Sequence, residues 1–255
     1  MWKITNYILR DLSKSWIIIG YVLLLFVASW GVFSIENEPD KAILNLLQIL
    51  LLLLPLFTLV FTTIYYYNSL EFILLLLAQP IDRKKIYRGF AMGLMGTLSL
   101  CLLLGMGIPI MIHFPSNQGM MLLLCGLLLT TTFVAIALFL SSRLSDKAKG
   151  MGAVLLLWSF FAFLFDGMLL LFMYQFGAYP IESAVLAISF LNPIVIARTS
   201  VLMTTEAAAM LGLSGAVFKD FFGSTLGFTV SLLAFIGYTT LFYSLSWKNF
   251  KKKDM

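Results

Sequence analysis

Apolar residues in this chain come in six long runs rather than in the short alternations that mark strands. The runs are roughly Trp16 to Phe33, Ala42 to Tyr66, Phe90 to Ile112, Met120 to Leu140, Met151 to Met173 and Leu226 to Trp247. Each approaches the roughly 20 residues that an α-helix needs to cross the hydrocarbon core of a bilayer. Trp16 and Trp30 bracket the first run, and Tyr243 and Trp247 close the last, as interfacial aromatics do. The first run is too long for a signal-peptide core and has no small-residue cleavage pattern behind it, so it is expected to stay as an anchor. The pattern predicts an all-α polytopic protein with six transmembrane helices, forming one transmembrane domain over residues 1–255.

Three segments outside those runs have patterns of their own. In residues 1–15, Ile4, Ile8, Leu12 and then Trp16 recur every four positions while Lys3, Asn6, Arg10 and Lys14 fall elsewhere. That spacing predicts an amphipathic helix lying on the membrane surface, unless it is an ordinary flanking segment. Residues 68–88 hold a leucine run, Phe72 to Ala78, too short to cross. A Ser69 cap and Glu71 in the first turn predict a short helix that Pro80 ends, with a cationic turn after it. Such a helix buries its leucines beneath the bundle and offers its polar end to a soluble partner, or is a plain juxtamembrane helix. Residues 176–224 are apolar but interrupted by Tyr179-Pro180, Asn192-Pro193, Arg198 and Glu206. A seventh span from Ser183 to Met203 would put Arg198 in the membrane, at about 2.5–3.5 kcal/mol. The segment is therefore expected to form two or three short helices lying in, or dipping into, the outer leaflet. Asn192 would cap the second of these, with Pro193 at its first position.

Composition sharpens this picture. Charged residues are 11% of the 255, against about 25% in soluble domains. Once the spans are counted there is no room for a sizeable soluble domain. The net charge of +5 reads as topology rather than as nucleic-acid binding. In a six-span arrangement, 14 of the 17 Lys and Arg residues fall on one side, in the N-terminal segment, the second and fourth connections and the tail. The other side has only Lys41, Arg198 and Lys219, and its first loop carries Glu36, Glu38 and Asp40. Both termini are accordingly expected in the cytoplasm, with Glu38 and Arg198 outside.

Few residues could carry chemistry. Asp166 is the one carboxylate well inside a run, past mid-membrane if span five is Met151 to Met173. It is expected to face the bundle interior, either as a structural hydrogen-bonding group or in transport or switching. No basic residue is expected within its reach, so hydroxyls such as Thr97 or Thr130 are the candidate partners. Gly89, Gly93, Thr97, Cys101 and Gly105 form a small-residue ridge for close helix approach, within one subunit or between two. Met111, His113, Met120 and Met121 could together suit Cu(I), although methionine is also an ordinary packing residue, and no metal site is assigned. Cys101 and Cys125 both sit in apolar runs and suggest neither a disulfide framework nor a zinc site. There is no Gly-x-x-x-x-Gly-Lys-Ser/Thr loop for ATP phosphates, no His-Glu-x-x-His zinc motif and no convincing Ser–His pair.

Taken together, the amphipathic start, six spans, the element Glu71–leucine run–Pro80-x-x-Arg83 and the long outer segment before the last span resemble ABC-2 type permeases. The resemblance extends to permeases of the transporter that supports copper-site assembly of nitrous-oxide reductase. It is carried by Leu74-Leu-Leu-Leu-Ala-Gln-Pro80, Lys147-Ala-Lys-Gly150, Trp158-Ser-Phe-Phe-Ala-Phe-Leu-Phe-Asp166 and Leu191-Asn-Pro-Ile-Val-Ile-Ala-Arg198. This resemblance implies a non-enzymatic permease in the bacterial inner membrane, paired with a second copy and with separate ATPase chains that bind the ATP and Mg. It implies that Glu71, Phe72, Gln79, Pro80 and Arg83 meet the ATPase, and that a periplasmic maturation protein meets the outer segment around Asn192, Pro193 and Arg198. Membrane lipid is the remaining expected partner, and no cofactor is expected on this chain. An ABC-2 exporter of a lipid, drug or gliding-motility component, or a proton-coupled carrier using Asp166, would share many of these features.

Overall fold

The computed structural model describes residues 2–36, 38–177, 179, 181–205, 222 and 224–252. Pro180, Glu206 and Lys219, named above, and Lys253 of the tail lie outside the described residues. Among the described residues there are helices and turns but no strand, and six helical stretches are long and apolar enough to cross a membrane. The protein is an all-α polytopic membrane protein.

Helix α1 (Trp2–Ser13) buries Ile4, Thr5, Ile8 and Leu12 on one face. Trp16 does not extend that stripe: the chain turns at Lys14 and Ser15, and Trp16 opens the next helix, 86% exposed. Span one is α2 (Trp16–Ile35) and span two is α3 (Pro39–Asn68), with α4 (Leu70–Leu77) directly behind it. Span three runs from Arg83 to His113 as α5 (Arg83–Leu102), a π-helical turn (Leu103–Gly107) and α6 (Ile108–His113). Its wide turn has a local cause: Pro109 has no N–H to give the Gly105 carbonyl four residues back.

Span four is α7 (Asn117–Arg143), started by Ser116, whose Oγ accepts from the Gly119 N–H at 3.1 Å. It is the core helix, packed against spans two, three and six. In an apolar solvent, small hydroxyls join such helices. Thr132 and Thr239 hydroxyls meet at 3.0 Å, Ser246 donates to Ser142 at 3.3 Å, and Ser141 donates to Thr63 at 3.4 Å. Span five is α8 (Lys147–Ser159), a second π-helical turn (Phe160–Leu164) and α9 (Phe165–Phe176), capped at its start by Asp146 accepting from the Ala148 N–H at 2.8 Å. Gly150 is required near that start, because a Cβ there would lie 2.3 Å from the Tyr67 hydroxyl. The bent pair α10 (Glu182–Ser189) and α11 (Pro193–Leu202) precedes span six, α12 (Thr225–Lys252).

The small-residue ridge of span three packs within the chain at both ends. A Cβ on Gly93 would come within 2.8 Å of Ile8 on α1, and one on Gly105 within 2.6 Å of Leu25 on α2. Thr5 Oγ1 lies 3.3 Å from the Gly89 carbonyl, adding a hydrogen bond where α1 crosses span three. The absent side chains let α1 and α2 lie close against this helix.

Candidate functional site

The deepest feature is the α10–α11 pair, bent by 119°. Asn192 caps α11 by accepting from the Ile194 N–H at 2.8 Å, with Pro193 at the first position. The same side chain donates to the Phe161 carbonyl, also at 2.8 Å, and Tyr238 donates to the Phe190 carbonyl at 2.9 Å. Phe161 lies halfway along the 30-residue span Lys147–Phe176, and Tyr238 halfway along α12. The corner therefore reaches mid-span: of the two expected placements the pair takes the dipping one, as a re-entrant hairpin, and does not lie flat in the outer leaflet. Non-helical backbone survives at that depth because its polar groups are satisfied by protein. The second π-helical turn contributes, since its wide ring leaves the Phe161 carbonyl open to Asn192.

Six residues beyond Asn192, Arg198 meets Asp166, which lies five residues beyond Phe161. The guanidinium Nη1 is 2.5 Å from the Asp166 carboxylate, in an ion pair whose side chains are 36% and 30% exposed. This replaces the expected hydroxyl partners. Thr97 and Thr130 instead donate to carbonyls of their own helices, at Gly93 and Gly126, both 2.8 Å away. By its charge Arg198 belongs in an outer loop; the hairpin carries it down beside span five. Two opposite charges are each other's remedy where water is scarce.

Arg198 also lines a cleft of about 560 Å³ between spans two and five and α11, with Gln48, Leu51, Phe163 and Ile194 among its walls. A guanidinium has five N–H donors, so one bond to Asp166 leaves others to meet an acceptor in this space. Below the cleft, Trp158 donates to the Leu52 carbonyl at 3.3 Å, near Pro55, whose ring interrupts the ladder of span two. Gln48 is not singled out by the sequence pattern; an amide in the leucine run of span two, three residues beyond Asn45, is the available signal.

The methionine–histidine group has a plainer setting. His113 Nδ1 lies 3.1 Å from the Pro109 carbonyl, and its ring packs edge-on to Trp30 and face-on to Phe33. Met111 and Met120 are exposed and Met121 packs against the core. Among the described residues, no three His, Cys, Asp or Glu side chains come together as metal ligands would.

At the opposite, lysine-rich end, α1 and α4 form a shelf under the spans. Tyr7 and Phe72 rings stack at 5.0 Å, and Tyr65 donates to the Asp11 carboxylate at 3.0 Å. Arg83 donates to the Lys251 carbonyl at 3.3 Å, while Lys147 donates to Asn68 at 2.9 Å. Ser69 stands at the start of α4 without the expected side-chain cap. Ile73 is buried, but Leu74 and Leu75 are exposed, so only part of the leucine run is covered. Glu71, Gln79 and Pro80 are exposed. Asp82 pairs with Lys85 at 2.8 Å, and that hydrogen bond holds the Asp82 carboxyl below the usual carboxylate range.

With this geometry in place, comparison with known proteins adds one relative. No family model matches the chain. It is similar to the "Probable ABC transporter permease protein NosY" of Pseudomonas aeruginosa, 32% identical over 153 residues. The match covers 56% of this chain and 52% of that protein, so the chain spans about half the length of the curated relative it matches. The likeness supports a place among ABC transporter permeases.

Proposed function

We propose that this chain is the membrane-spanning permease subunit of an ABC transporter, driven by a separate ATPase subunit that binds the ATP and Mg. The observation that carries this reading is the shelf at the lysine-rich end. A short helix, α4, hangs directly from span two, is braced on α1 by the Tyr7–Phe72 stack, and leaves Glu71, Gln79 and Pro80 free of the bundle. A push on α4 acts on a 30-residue helix whose far half walls the Arg198 cleft. Nucleotide-driven movement of a partner thus has a continuous helical route to the opposite side. On this reading the shelf and both termini are cytoplasmic, the membrane is the bacterial inner membrane, and the functional unit holds two permease copies and two ATPase chains.

The finer role we infer from the motif resemblance carried by Leu74 to Pro80, Lys147 to Gly150, Trp158 to Asp166 and Leu191 to Arg198: support of copper-site assembly in nitrous-oxide reductase, with a periplasmic maturation protein meeting the hairpin segment. The Asp166–Arg198 pair then serves as a latch between span five and α11, closed in one transport state and opened in the other.

Affinity purification of the tagged permease from its native host tests the assignment. The expected result is co-purification of a P-loop ATPase. Glu71→Arg should lower that recovery about tenfold, because a new cation faces the start of α4 and a partner chosen for an anion there. Permease levels in the membrane should stay unchanged. Normal ATPase recovery by Glu71→Arg would remove α4 from the contact. Recovery of other cargo-handling proteins would favour an exporter of lipid, drug or gliding-motility components, and transport without any ATPase a proton-coupled carrier.

A further inference from the structure

The small-residue ridge of span three is filled at its ends and open in its middle. Ile8 occupies the space at Gly93 and Leu25 the space at Gly105. Between them, buried Thr97 and Cys101, with Ile18 of span one, floor a groove of about 530 Å³. Leu23, Leu100 and Leu104 form its walls and stay more than half exposed. The groove runs about 10 Å from the membrane surface at the lysine-rich end, against about 15 Å for half a hydrocarbon core. Its lip carries Arg10 and Ser13 of α1. The Ser13 hydroxyl donates to the Arg10 carbonyl at 3.0 Å and still has lone pairs to share. Among the described residues the Arg10 guanidinium has no ion pair, while its acidic neighbour Asp11 is engaged by Tyr65.

We propose that this groove binds one anionic glycerophospholipid from the leaflet at the lysine-rich end. An acyl chain lies over Thr97 and Cys101, and the phosphate sits against Arg10. The chemistry has two parts that one ligand must satisfy together. The slot is apolar, narrow and open sideways to lipid, which suits a hydrocarbon chain. The free cation stands where that chain would meet its headgroup, and Lys3 on the same helix and Lys14 in the turn after it add to the positive field. A zwitterionic lipid fits the slot but gains less from the lip. The lipid would tie α1 to spans one and three, and this holds whether or not the chain serves an ABC transporter.

Native mass spectrometry tests this on the full-length protein, extracted from vesicles of equal phosphatidylglycerol and phosphatidylcholine. The expected result is one retained phosphatidylglycerol per chain, in excess over phosphatidylcholine. Arg10→Gln should lower its retention about fivefold, equivalent to about 1 kcal/mol for one cation at the membrane surface. Lys3→Gln, two helical turns away, should leave retention within about twofold of the parent. Cys101→Phe should remove both lipids alike by filling the slot. Arg10→Gln is an exposed change that preserves the fold, so the test stands even if Cys101→Phe does not assemble. Equal retention of both lipids, equal losses in Arg10→Gln and Lys3→Gln, or a lipid-free groove closed by a second copy of the chain would each overturn the proposal.

Discussion

Spans four and five are close in length and in apolar character, with mean hydropathies of 2.5 and 2.2 over their most apolar windows. Their surroundings differ: 72% of that window is buried inside the protein for span four, against 11% for span five. Span four, wrapped by neighbours, is continuous α-helix with small hydroxyls aimed at the helices beside it. Span five lies at the edge, breaks into a π-helical turn, and holds the acid that pairs with Arg198. Hydropathy therefore selects the helices that cross but not those that support the rest. The outer helix has room for an irregular turn, and that turn is where the hairpin attaches.

The largest effect expected of any substitution lies on the edge helix. Asp166→Leu leaves Arg198 at membrane depth without its carboxylate, at a cost of about 2.5–3.5 kcal/mol. The yield of folded protein in detergent should fall, and Asp166→Leu combined with Arg198→Met should restore most of it, because the unpaired charge is then gone. If the double variant is no better than the single one, the pair is not what secures α11 to span five. Asp166→Asn keeps a hydrogen-bonding group, so it should fold and report on any switching role through transport alone.

A pair of glycine substitutions tests the contrast itself. Gly126 in span four faces fully buried Leu102 and Leu50, at 2.8 and 3.1 Å from an added Cβ, whereas Gly167 in span five has open space. Gly126→Leu should destabilise the protein by about 1–3 kcal/mol through overpacking. Gly167→Leu should leave thermal unfolding in detergent unchanged, and a lower oligomer mass in that variant would place the second copy on this face. Equal destabilisation by the two would mean that span five is as enclosed as span four.

Smaller still is the effect expected at the hairpin corner. Asn192→Ala removes both the cap of α11 and the bond to Phe161, at about 1–2 kcal/mol. Hydrogen exchange should rise over residues 189–196 while span four stays protected. Unchanged exchange there would show that Pro193 and Tyr238 hold the corner unaided.

Much of this architecture can be read directly from the residues. Twenty or so apolar positions in a row can only be stable as helix in a solvent without hydrogen-bonding partners, so six spans follow from composition and length. Ile4, Ile8 and Leu12 mark the buried face of α1, and Asn192-Pro193 marks the start of α11, because both are local matters of spacing and capping. The breaks in span five and the depth of the hairpin are not local. A carbonyl opened at Phe161 is favourable only because Asn192, 31 residues later, reaches it. Likewise Arg198 belongs in an outer loop by its charge alone, and is tolerated deep in the span only beside Asp166. Thr97 and Cys101 look like packing residues until the neighbours that fill Gly93 and Gly105 are found to stop short of them. The chain's chemistry with its solvent sets which segments cross the membrane. The pairing of distant polar groups, and the spaces left between side chains, are decided only when the helices meet.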